Sequence, residues 1–476
     1  MANMRKKFTT LLINPSTPFF MPNKEYLLPQ GLLYLAGYLK GAGEEVELLD
    51  LNISRPWEKT SRALSQEYCN RIIFEKIRRL DPSLIGFGCL FSGQFADVLE
   101  YSRFVKSHFP HMPIVIGGMH ATIFARDIIE NCSSIDYVVL GEGEPQLLAL
   151  VKYLKGETVL NGHLCDGLGY RGDGQVVIHR KEKFLVNLDE VPFPCYELAN
   201  LENYKHDTSH WHNPGHLPIG LTVPLISSRS CPCKCNFCSM FLIGGTRFRE
   251  RSAKNVVDEI QLLYLHKDVR HFNFMDDNLT LNKKRIIEIC DLICRRGLLL
   301  QFETLNGLMT STLDEEVVNA LVSAGWIRGA IAIESGSDYI RNKVMKKRLQ
   351  RDKIYNAVEL ISRHPHVYLK SYFIAGMPED TNETLQETYD MINELTIREA
   401  YVTNVVPFPG TALFDQCVRD DLFIDDIDIK DLWKSEQFYM TNKERFYVKP
   451  YKLTLEDLRQ WRKRFDSLLA EKKGEH

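Results

Sequence analysis

Several features that would assign a protein to a class at once are missing from this 476-residue sequence. No apolar run approaches the roughly 18 residues that a membrane-spanning helix requires, so we expect no transmembrane segment and a cytoplasmic protein. The 59 basic and 62 acidic residues leave a net charge of only −3, which gives no reason to expect nucleic acid as a partner. There is no internal repeat and no low-complexity tract. At roughly 100–200 residues per domain, the length predicts two or three globular domains.

A disulfide framework is also absent, although the chain has 12 cysteines. Most are scattered along the chain, and we expect these to be reduced residues of the core. The remaining four lie close together in SSRSCPCKCNFCSM, which covers residues 227–240. This short stretch is the strongest chemical signal in the sequence.

The first 150 residues alternate short apolar runs with helical patterns, as in FTTLLINP, EVELLDL, LIGFGCL, PIVIGG and YVVLGEG. Five strands with crossover helices predict a doubly wound, Rossmann-like parallel sheet. Ligands of such a sheet bind at the carboxyl ends of its strands. Here those ends are residues 14–15, 89–92, 117–120 and 141–144.

The alternation stops at a predicted hairpin and a connector with Pro192 and Pro194, and it resumes at VPLISSR. Six further strand and helix units follow, which are too few for a closed eight-stranded barrel and predict an open, partial (β/α)6 barrel. The charged end of the chain predicts a mostly helical cap. The expected domains are a Rossmann-like domain (1–160), a hairpin and connector (161–220), a partial barrel (221–415) and a C-terminal helical cap (416–476).

The clustered cysteines have two metal interpretations. Structural zinc sites usually take two cysteine pairs from separate chain segments, whereas these thiols all lie on one loop. The spacing Cys231-x₃-Cys235-x₂-Cys238 suits three corners of a [4Fe–4S] cluster and leaves the fourth iron without a cysteine. An iron with an open position can bind a chelating ligand and transfer an electron to it.

This motif, with Phe237 before its last cysteine, resembles that of radical S-adenosylmethionine (SAM) enzymes. The resemblance implies that the three cysteines hold the cluster and that the open iron chelates the methionine part of SAM. Phe237 is then expected on the adenine ring of SAM. In FMDDN the resemblance implies that Asp276 or Asp277 accepts from the SAM ammonium group, and in AIESGSD it implies that Glu334 and Ser335 contact the SAM ribose or carboxylate.

The first domain is similar to the cobalamin (B12)-binding domain joined to one branch of these enzymes, and the whole resemblance covers roughly residues 8–415. It implies cobalamin contacts from the strand-end residues Ser92, Gly117, Gly118, His120, Gly141, Glu142 and Gly143. The two early loops that could supply a histidine below the cobalt contain none. We therefore expect cobalamin without a histidine on its cobalt, although His120 is a candidate for that role.

The resemblance implies a C-methyltransferase of the class B radical SAM type. In this chemistry a 5′-deoxyadenosyl radical removes hydrogen from an unactivated carbon, and methylcobalamin supplies the methyl group. Relatives with the same layout instead cyclise, rearrange or oxidise their substrates, and a non-catalytic cobalamin or iron–sulfur binding protein is a third alternative. The expected partners are a small-molecule, lipid or peptide substrate and an electron donor such as flavodoxin or ferredoxin. No catalytic side chain is identified from the sequence.

Overall fold

The structure is a computed structural model that describes residues 7–16, 27–54, 62–205, 212–218, 220–434 and 445–474. Its first part alternates strands and helices around one sheet. The strands are β1 (Thr9–Asn14), β2 (Glu45–Asp50), β3 (Leu84–Gly88), β4 (Ile114–Gly117), β5 (Tyr137–Val139), β6 (Leu168–Gly172) and β7 (Gln175–Ile178). The helices are α1 (Gln30–Gly41), α2 (Leu51–Ser54), α3 (Arg62–Leu80), α4 (Phe95–His108), α5 (Met119–Ile123), α6 (Ala125–Asn131) and α7 (Glu144–Leu154).

The strand order of this sheet is β2-β1-β3-β4-β5-β6-β7. Strands β1 to β5 are parallel, and Leu11, Leu12 and Ile13 in β1 are all buried because helices cover both faces. The predicted doubly wound sheet is confirmed. The predicted hairpin, β6 and β7, pairs antiparallel with β5 and extends this same sheet, so that the sheet is mixed.

The second part begins with strand β8 (Thr222–Leu225) and a short antiparallel pair, β9 (Ser228–Arg229) and β10 (Arg249–Glu250). The further strands are β11 (His271–Phe274), β12 (Gln301–Leu308), β13 (Trp326–Glu334), β14 (Tyr368–Ala375) and β15 (Glu399–Asn404). The helices are α8 (Phe241–Gly244), α9 (Ala253–Lys267), α10 (Lys283–Arg295), α11 (Glu315–Ser323), α12 (Arg351–Ser362), α13 (Asn382–Glu394), α14 (Ala412–Arg419) and α15 (Leu455–Gly474).

Six parallel strands in the order β15-β14-β13-β12-β11-β8 form the second sheet, which confirms the partial barrel. In β14 the buried residues Leu369 and Phe373 belong to the apolar core beneath the helices. Because side chains alternate along a strand, the half-buried Lys370, Tyr372 and Ile374 point to the other face, the barrel interior. The interior wall therefore carries both polar and aromatic side chains.

A layer of charged side chains crosses the barrel interior near the starts of its strands. Arg328 lies 3.2 Å from the Glu303 carboxylate, and Lys370 lies 3.0 Å from that of Glu399. The imidazole of His271 lies 3.3 Å from Glu303. Closed barrels usually fill this space with aliphatic layers. Here the opposite charges balance, and the amino-terminal end of the barrel is polar.

One apolar cluster contains residues of both sheets and of the C-terminal segment. It combines Phe95 of the first sheet's helices with Met345 and Met377 beside the barrel and with Phe423 and Tyr447 after α14. The segment after α14 thus contributes to the core where the two sheets meet, and α15 ends the chain as the predicted terminal helix. Among the described residues, no helix has the length and apolar character of a membrane span.

Candidate functional site: the cysteine loop and the facing strand ends

The cysteine loop, which we define as residues 230–248, begins directly after the first barrel strand. Strands β9 and β10 close its base, with Arg229 opposite Arg249 and Ser228 opposite Glu250. Since β8 ends at Leu225, the loop lies at the carboxyl-end mouth of the barrel, where barrel enzymes build their sites. All four clustered cysteines lie on this loop.

Ser230, the residue before the first cysteine, has a left-handed backbone with φ of +72°. A non-glycine residue adopts this conformation only where its surroundings hold it. Its hydroxyl donates to the carbonyl of Gly244 at 2.5 Å and accepts from the Arg249 guanidinium at 2.9 Å. These contacts join the two ends of the cysteine loop.

The middle of the loop rests on the barrel's own connections. The amide of Asn236 donates to the carbonyl of Met345 at 3.1 Å, and the amide of Leu413 donates to the carbonyl of Asn236 at 3.0 Å. Phe237 is half-buried and packs against the apolar cluster that the two sheets share. The loop conformation is therefore set by contacts on both sides.

The thiols differ in how readily they ionise. Hydrogen bonding with Cys233, supported by Asn278, lowers the pKa of Cys231 to about 6, whereas the same bond raises the pKa of Cys233. Burial raises the pKa of Cys235 to about 11. Cys231 and Cys233 share this hydrogen bond and therefore titrate as one pair.

The two aspartates after β11 have different surroundings. Asp276 is 1% exposed and accepts hydrogen bonds from the Ser227 amide at 3.1 Å, the Ser227 hydroxyl at 2.7 Å and the Ser228 hydroxyl. Asp277 accepts from the backbone of Ser230, and burial, with the neighbouring Asp276 and Cys231, raises its pKa to about 6. Asp276 is thus part of the loop's scaffold, and Asp277 is the carboxyl group beside the cysteines.

Glu334, at the end of β13, also has a left-handed backbone, with φ of +72°. Its carboxylate lies 2.8 Å from the ammonium of Lys347. Burial alone would lower the pKa of Lys347, but the Glu334 carboxylate raises it. Ser335 faces helix α13 instead, where its hydroxyl lies 3.3 Å from that of Thr388.

Close packing of the first domain's strand ends depends on glycine. Gly118 has φ of +112°, and a Cβ atom there would lie 2.4 Å from the carbonyl oxygen of Cys89. Ser92 and His120 are brought together, with the Ser92 hydroxyl 3.0 Å from Nδ1 of His120. His120 is fully buried against Phe95 and Phe124, and burial lowers its pKa to about 3.

The loop after β5 faces the cysteine loop. Glu142 contacts both Arg249 and Arg229, and Glu144 lies 2.6 Å from Arg229. A Cβ atom on Gly141, which has φ of +69°, would lie 2.9 Å from the carbonyl oxygen of Ile243 in the cysteine loop. The carboxyl ends of the two sheets are therefore in direct contact.

Two known protein families match the two parts of the chain separately. Residues 24–151 match the B12 binding domain family, and residues 225–392 match the radical SAM superfamily. An uncharacterized methyltransferase of Pyrococcus horikoshii is 30% identical over 396 residues, which is 83% of this chain and 80% of that protein. The chain belongs to the cobalamin-dependent radical SAM enzymes.

Other relatives of this chain are named for different reactions. The anaerobic magnesium-protoporphyrin IX monomethyl ester cyclase of Cereibacter sphaeroides is 26% identical over 438 residues, covering 88% of this chain and 67% of that enzyme. The structure of the radical SAM methyltransferase TsrM from Kitasatospora setae, with cobalamin and a [4Fe–4S] cluster bound, superposes with a TM-score of 0.70 at 18% identity. That match covers 98% of this chain and 88% of TsrM, and it concerns the fold.

As a cobalamin-dependent radical SAM enzyme, the chain uses a [4Fe–4S] cluster, SAM and cobalamin. Its residues fit these groups. The cysteine loop has the family spacing and is held in a strained conformation, and Gly118 lets the backbone of the first domain pack closely at a strand end. In the described part of the chain, no three His, Cys, Asp or Glu side chains are placed to hold one metal ion.

Two residues of this cobalamin-dependent radical SAM enzyme lie beside the cysteine loop but were not predicted as site residues from the sequence. The amide of Asn278 donates to the sulfur of Cys231 at 3.6 Å, and it directly follows the FMDDN aspartates, so that position alone could have indicated it. Lys347 comes shortly after a π-helical turn, Ile340–Val344. Its two neighbours in the chain, Lys346 and Arg348, both have positive φ. No spacing in the sequence indicates its approach to Glu334.

Proposed function

We propose that this enzyme is a C-methyltransferase that transfers a methyl group to an unactivated carbon of a small-molecule substrate. The direct contact between the cysteine loop and the loop after β5 brings the two cofactor regions to one boundary, as any reaction that uses both cofactors requires. The observation that favours methyl transfer among such reactions is the similarity to the Pyrococcus horikoshii protein named as a methyltransferase. When bound, the cluster with SAM supplies a carbon radical, and cobalamin supplies the methyl group.

On the barrel side, Cys231, Cys235 and Cys238 hold the cluster in this proposal. Asp277 accepts hydrogen bonds from the SAM ammonium group, since the Asp276 carboxylate is already occupied by Ser227 and Ser228. This assigns to one residue the role that the sequence left open between two.

The same side supplies two further SAM contacts. Glu334 binds the polar ribose or carboxylate edge of SAM, with Lys347 holding its carboxylate in place. Phe237 provides an apolar surface for the adenine ring. Ser335 acts indirectly in this proposal, by fixing the turn after Glu334 through its contacts with Thr388 and with the amide of Ser337.

On the first domain's side, Ser92, Gly117, Gly118, Gly141 and Gly143 line the backbone against which cobalamin lies. His120 is proposed to orient Ser92 rather than to bind cobalt, because its ring is enclosed by Phe95 and Phe124 and its Nδ1 atom contacts the Ser92 hydroxyl. These residues orient the cofactor and exclude water.

The cluster assignment is tested on the reconstituted protein by iron content and by the electron paramagnetic resonance (EPR) spectrum of its reduced cluster. Cys235→Ala is expected to abolish the cluster and reductive SAM cleavage, because it removes one of three ligands. Cys233→Ser is expected to keep both, because Cys233 is the spare thiol. Loss of iron in Cys233→Ser, or SAM cleavage by Cys235→Ala, would show that the wrong three cysteines were chosen.

Methyl transfer is tested by incubating the holoenzyme and a reductant with a metabolite extract and methyl-labelled SAM, followed by mass spectrometry. The expected result is a labelled product, with S-adenosylhomocysteine and 5′-deoxyadenosine formed in equal amounts. Replacing the chemical reductant by flavodoxin or ferredoxin with its reductase is expected to support the same product, which tests the proposed electron donor.

The alternative reaction is a non-methylating cyclisation, rearrangement or oxidation, as the name of the Cereibacter sphaeroides cyclase suggests for that relative. Such a reaction consumes SAM only as a source of the radical. If 5′-deoxyadenosine forms with an unlabelled product and without S-adenosylhomocysteine, the reaction is this alternative and not methyl transfer.

A further inference from the structure

A buried group of charges forms the contact between the two domains, and none of its side chains has been given a part in the chemistry. Glu142 and Glu144 follow the last parallel strand of the first sheet, and Arg229 and Arg249 lie in β9 and β10 at the base of the cysteine loop. Arg249 donates to Glu142 at 2.8 Å, and Arg229 lies 3.3 Å from Glu142 and 2.6 Å from Glu144. All four side chains are at most 13% exposed.

This group of charges reaches the first cluster cysteine through one chain of contacts. The Arg249 guanidinium that binds Glu142 also donates to the Ser230 hydroxyl at 2.9 Å and to the carbonyl of Gly244 at 2.9 Å. Ser230 is held in its left-handed conformation by these contacts, and it is covalently joined to Cys231. A carboxylate of one domain is thus two hydrogen bonds away from the backbone that orients a cluster ligand of the other.

The surroundings of this contact balance its charges and cover it. The Lys181 ammonium lies 3.3 Å from Asp166, and both of these side chains are buried beside the same loop. Three cations, Lys181, Arg229 and Arg249, therefore balance three carboxylates. The aromatic ring of Phe184 covers Arg249, with the guanidinium carbon 5.1 Å from the ring centre.

Such a buried network contributes little net stability compared with an apolar contact of the same size, because desolvation of the charges offsets their attraction. Its directional hydrogen bonds instead allow one relative placement of the groups it joins. The Glu142 carboxylate is engaged by two arginines.

We propose that Glu142, Arg249 and Ser230 are positioning residues that fix the cysteine loop against the cobalamin-binding domain and so set the distance between the two cofactors. A displacement of about 1 Å between reacting groups is enough to reduce an enzymatic rate strongly, so this distance matters for any reaction that uses both cofactors. The proposal rests on the family's cofactors and holds whether or not the reaction is methyl transfer.

The test measures the distance directly, on protein loaded with cob(II)alamin and a reduced cluster. Both centres are paramagnetic, and pulsed EPR reports their dipolar interaction without any substrate. The unmodified protein is expected to give a single narrow distance distribution. Glu142→Gln, which leaves Arg249 without its charged partner, and Ser230→Ala, which leaves the ion pair intact, are both expected to broaden or shift this distribution while cobalamin content stays unchanged.

Asp166→Asn is the matched control, because it removes a charge from the same buried group without touching Arg249 or Ser230. It is expected to leave the distance distribution unchanged. An equal broadening in Asp166→Asn would attribute the effect to general loosening and overturn the proposal. So would loss of cobalamin from Glu142→Gln with an unaltered cluster spectrum, which would make Glu142 a cobalamin contact. If Glu142→Gln does not fold, an unchanged distance in Ser230→Ala is the overturning result.

Discussion

At the scale of single residues, the neighbouring carboxyl groups Asp276 and Asp277 show how burial and hydrogen bonding assign roles that sequence position does not. Both follow β11, and the resemblance of the sequence to radical SAM enzymes implied a SAM contact for one or the other. One is saturated with hydrogen bonds from Ser227 and Ser228, and the other accepts from the backbone of Ser230 beside the cysteines. The two residues are therefore expected to respond differently to the same substitution.

Replacing each aspartate by asparagine separates these roles. Asp276→Asn is expected to lower the free energy of unfolding by about 1–3 kcal/mol, because buried donors lose their charged acceptor. Asp277→Asn is expected to leave unfolding nearly unchanged and to weaken SAM binding by about 10–100-fold, the effect of one charge-assisted hydrogen bond. Thermal unfolding and equilibrium dialysis of SAM with the reconstituted protein measure the two effects. The reverse pattern would exchange the two assignments.

His120 makes the stability of the first domain depend on pH. Burial lowers its pKa to about 3, so between this value and the ordinary histidine pKa of about 6.5 the unfolded chain binds a proton that the folded chain does not. Stability from this residue is therefore complete above pH 6.5 and falls as the pH is lowered. At pH 5.5 the loss is about 1.4 kcal/mol relative to neutral pH.

The measurement compares thermal unfolding at pH 7.5 and 5.5 for the unmodified chain and for His120→Gln. The variant is expected to lose less stability on acidification, because its side chain does not titrate. His266→Gln, at an exposed position in α9, serves as the control and is expected to behave like the unmodified chain. An equal acid sensitivity in His120→Gln would contradict the buried, neutral state of this histidine.

At the scale of elements, the glycine turns that begin α5 and close the β6–β7 hairpin differ in what surrounds them. Gly118 and Gly174 both have positive φ, but only Gly118 has backbone atoms in the space a Cβ would occupy. Gly174→Ala is expected to lower the free energy of unfolding by about 1–2 kcal/mol, because only the left-handed backbone is strained. Gly118→Ala also brings the new methyl group against the backbone of Cys89, so it is expected to lower the free energy of unfolding by about 2–5 kcal/mol. It is also expected to release cobalamin.

Unfolding midpoints and the cobalamin absorbance of the purified holoenzyme check this pair. If the two variants lose equal stability and keep their cofactor, the close approach of Gly118 to Cys89 is not a constraint. Gly43→Ala is a second control, because its φ is positive and its surroundings are open as well.

The elements were more predictable from sequence than the site. Apolar alternation located the strands of both sheets, and the cysteine spacing indicated the loop that is proposed to hold the cluster, because both signals are local in the chain. The contact of Arg249 with Glu142 joins segments 107 residues apart. The contact of Lys347 with Glu334 spans only 13 residues but depends on the irregular turn between them. The sequence also could not distinguish Asp276 from Asp277, since the hydrogen bonds that differ come from a loop about 50 residues earlier.

At the scale of the whole molecule, one of the large apolar clusters is shared by the two sheets. The apolar cluster that contains Phe95, Met345, Met377 and Tyr447 spans the first sheet, the barrel and the C-terminal segment. Separating the two sheets would expose this cluster and the buried charges around Glu142. We therefore expect one calorimetric unfolding transition rather than two.

Differential scanning calorimetry of the purified chain checks this expectation, with the ratio of calorimetric to van't Hoff enthalpy near one. Two resolved transitions would show that the sheets unfold independently. Tyr447→Ala, which removes a buried ring that the C-terminal segment contributes, is expected to lower the single transition rather than to split it.

The strand order of the first sheet also bears on how copies of this chain behave at high concentration. Its outer strands are β2 and β7, and an unpaired strand edge is a template for pairing with another molecule. Among the described residues no strand pairs with the outer side of β2, and this strand carries Glu45 and Glu47 on one face, each paired with a lysine. Strand β7 has only four residues. A charged edge strand and a short one are both poor templates for pairing with a second copy of the chain.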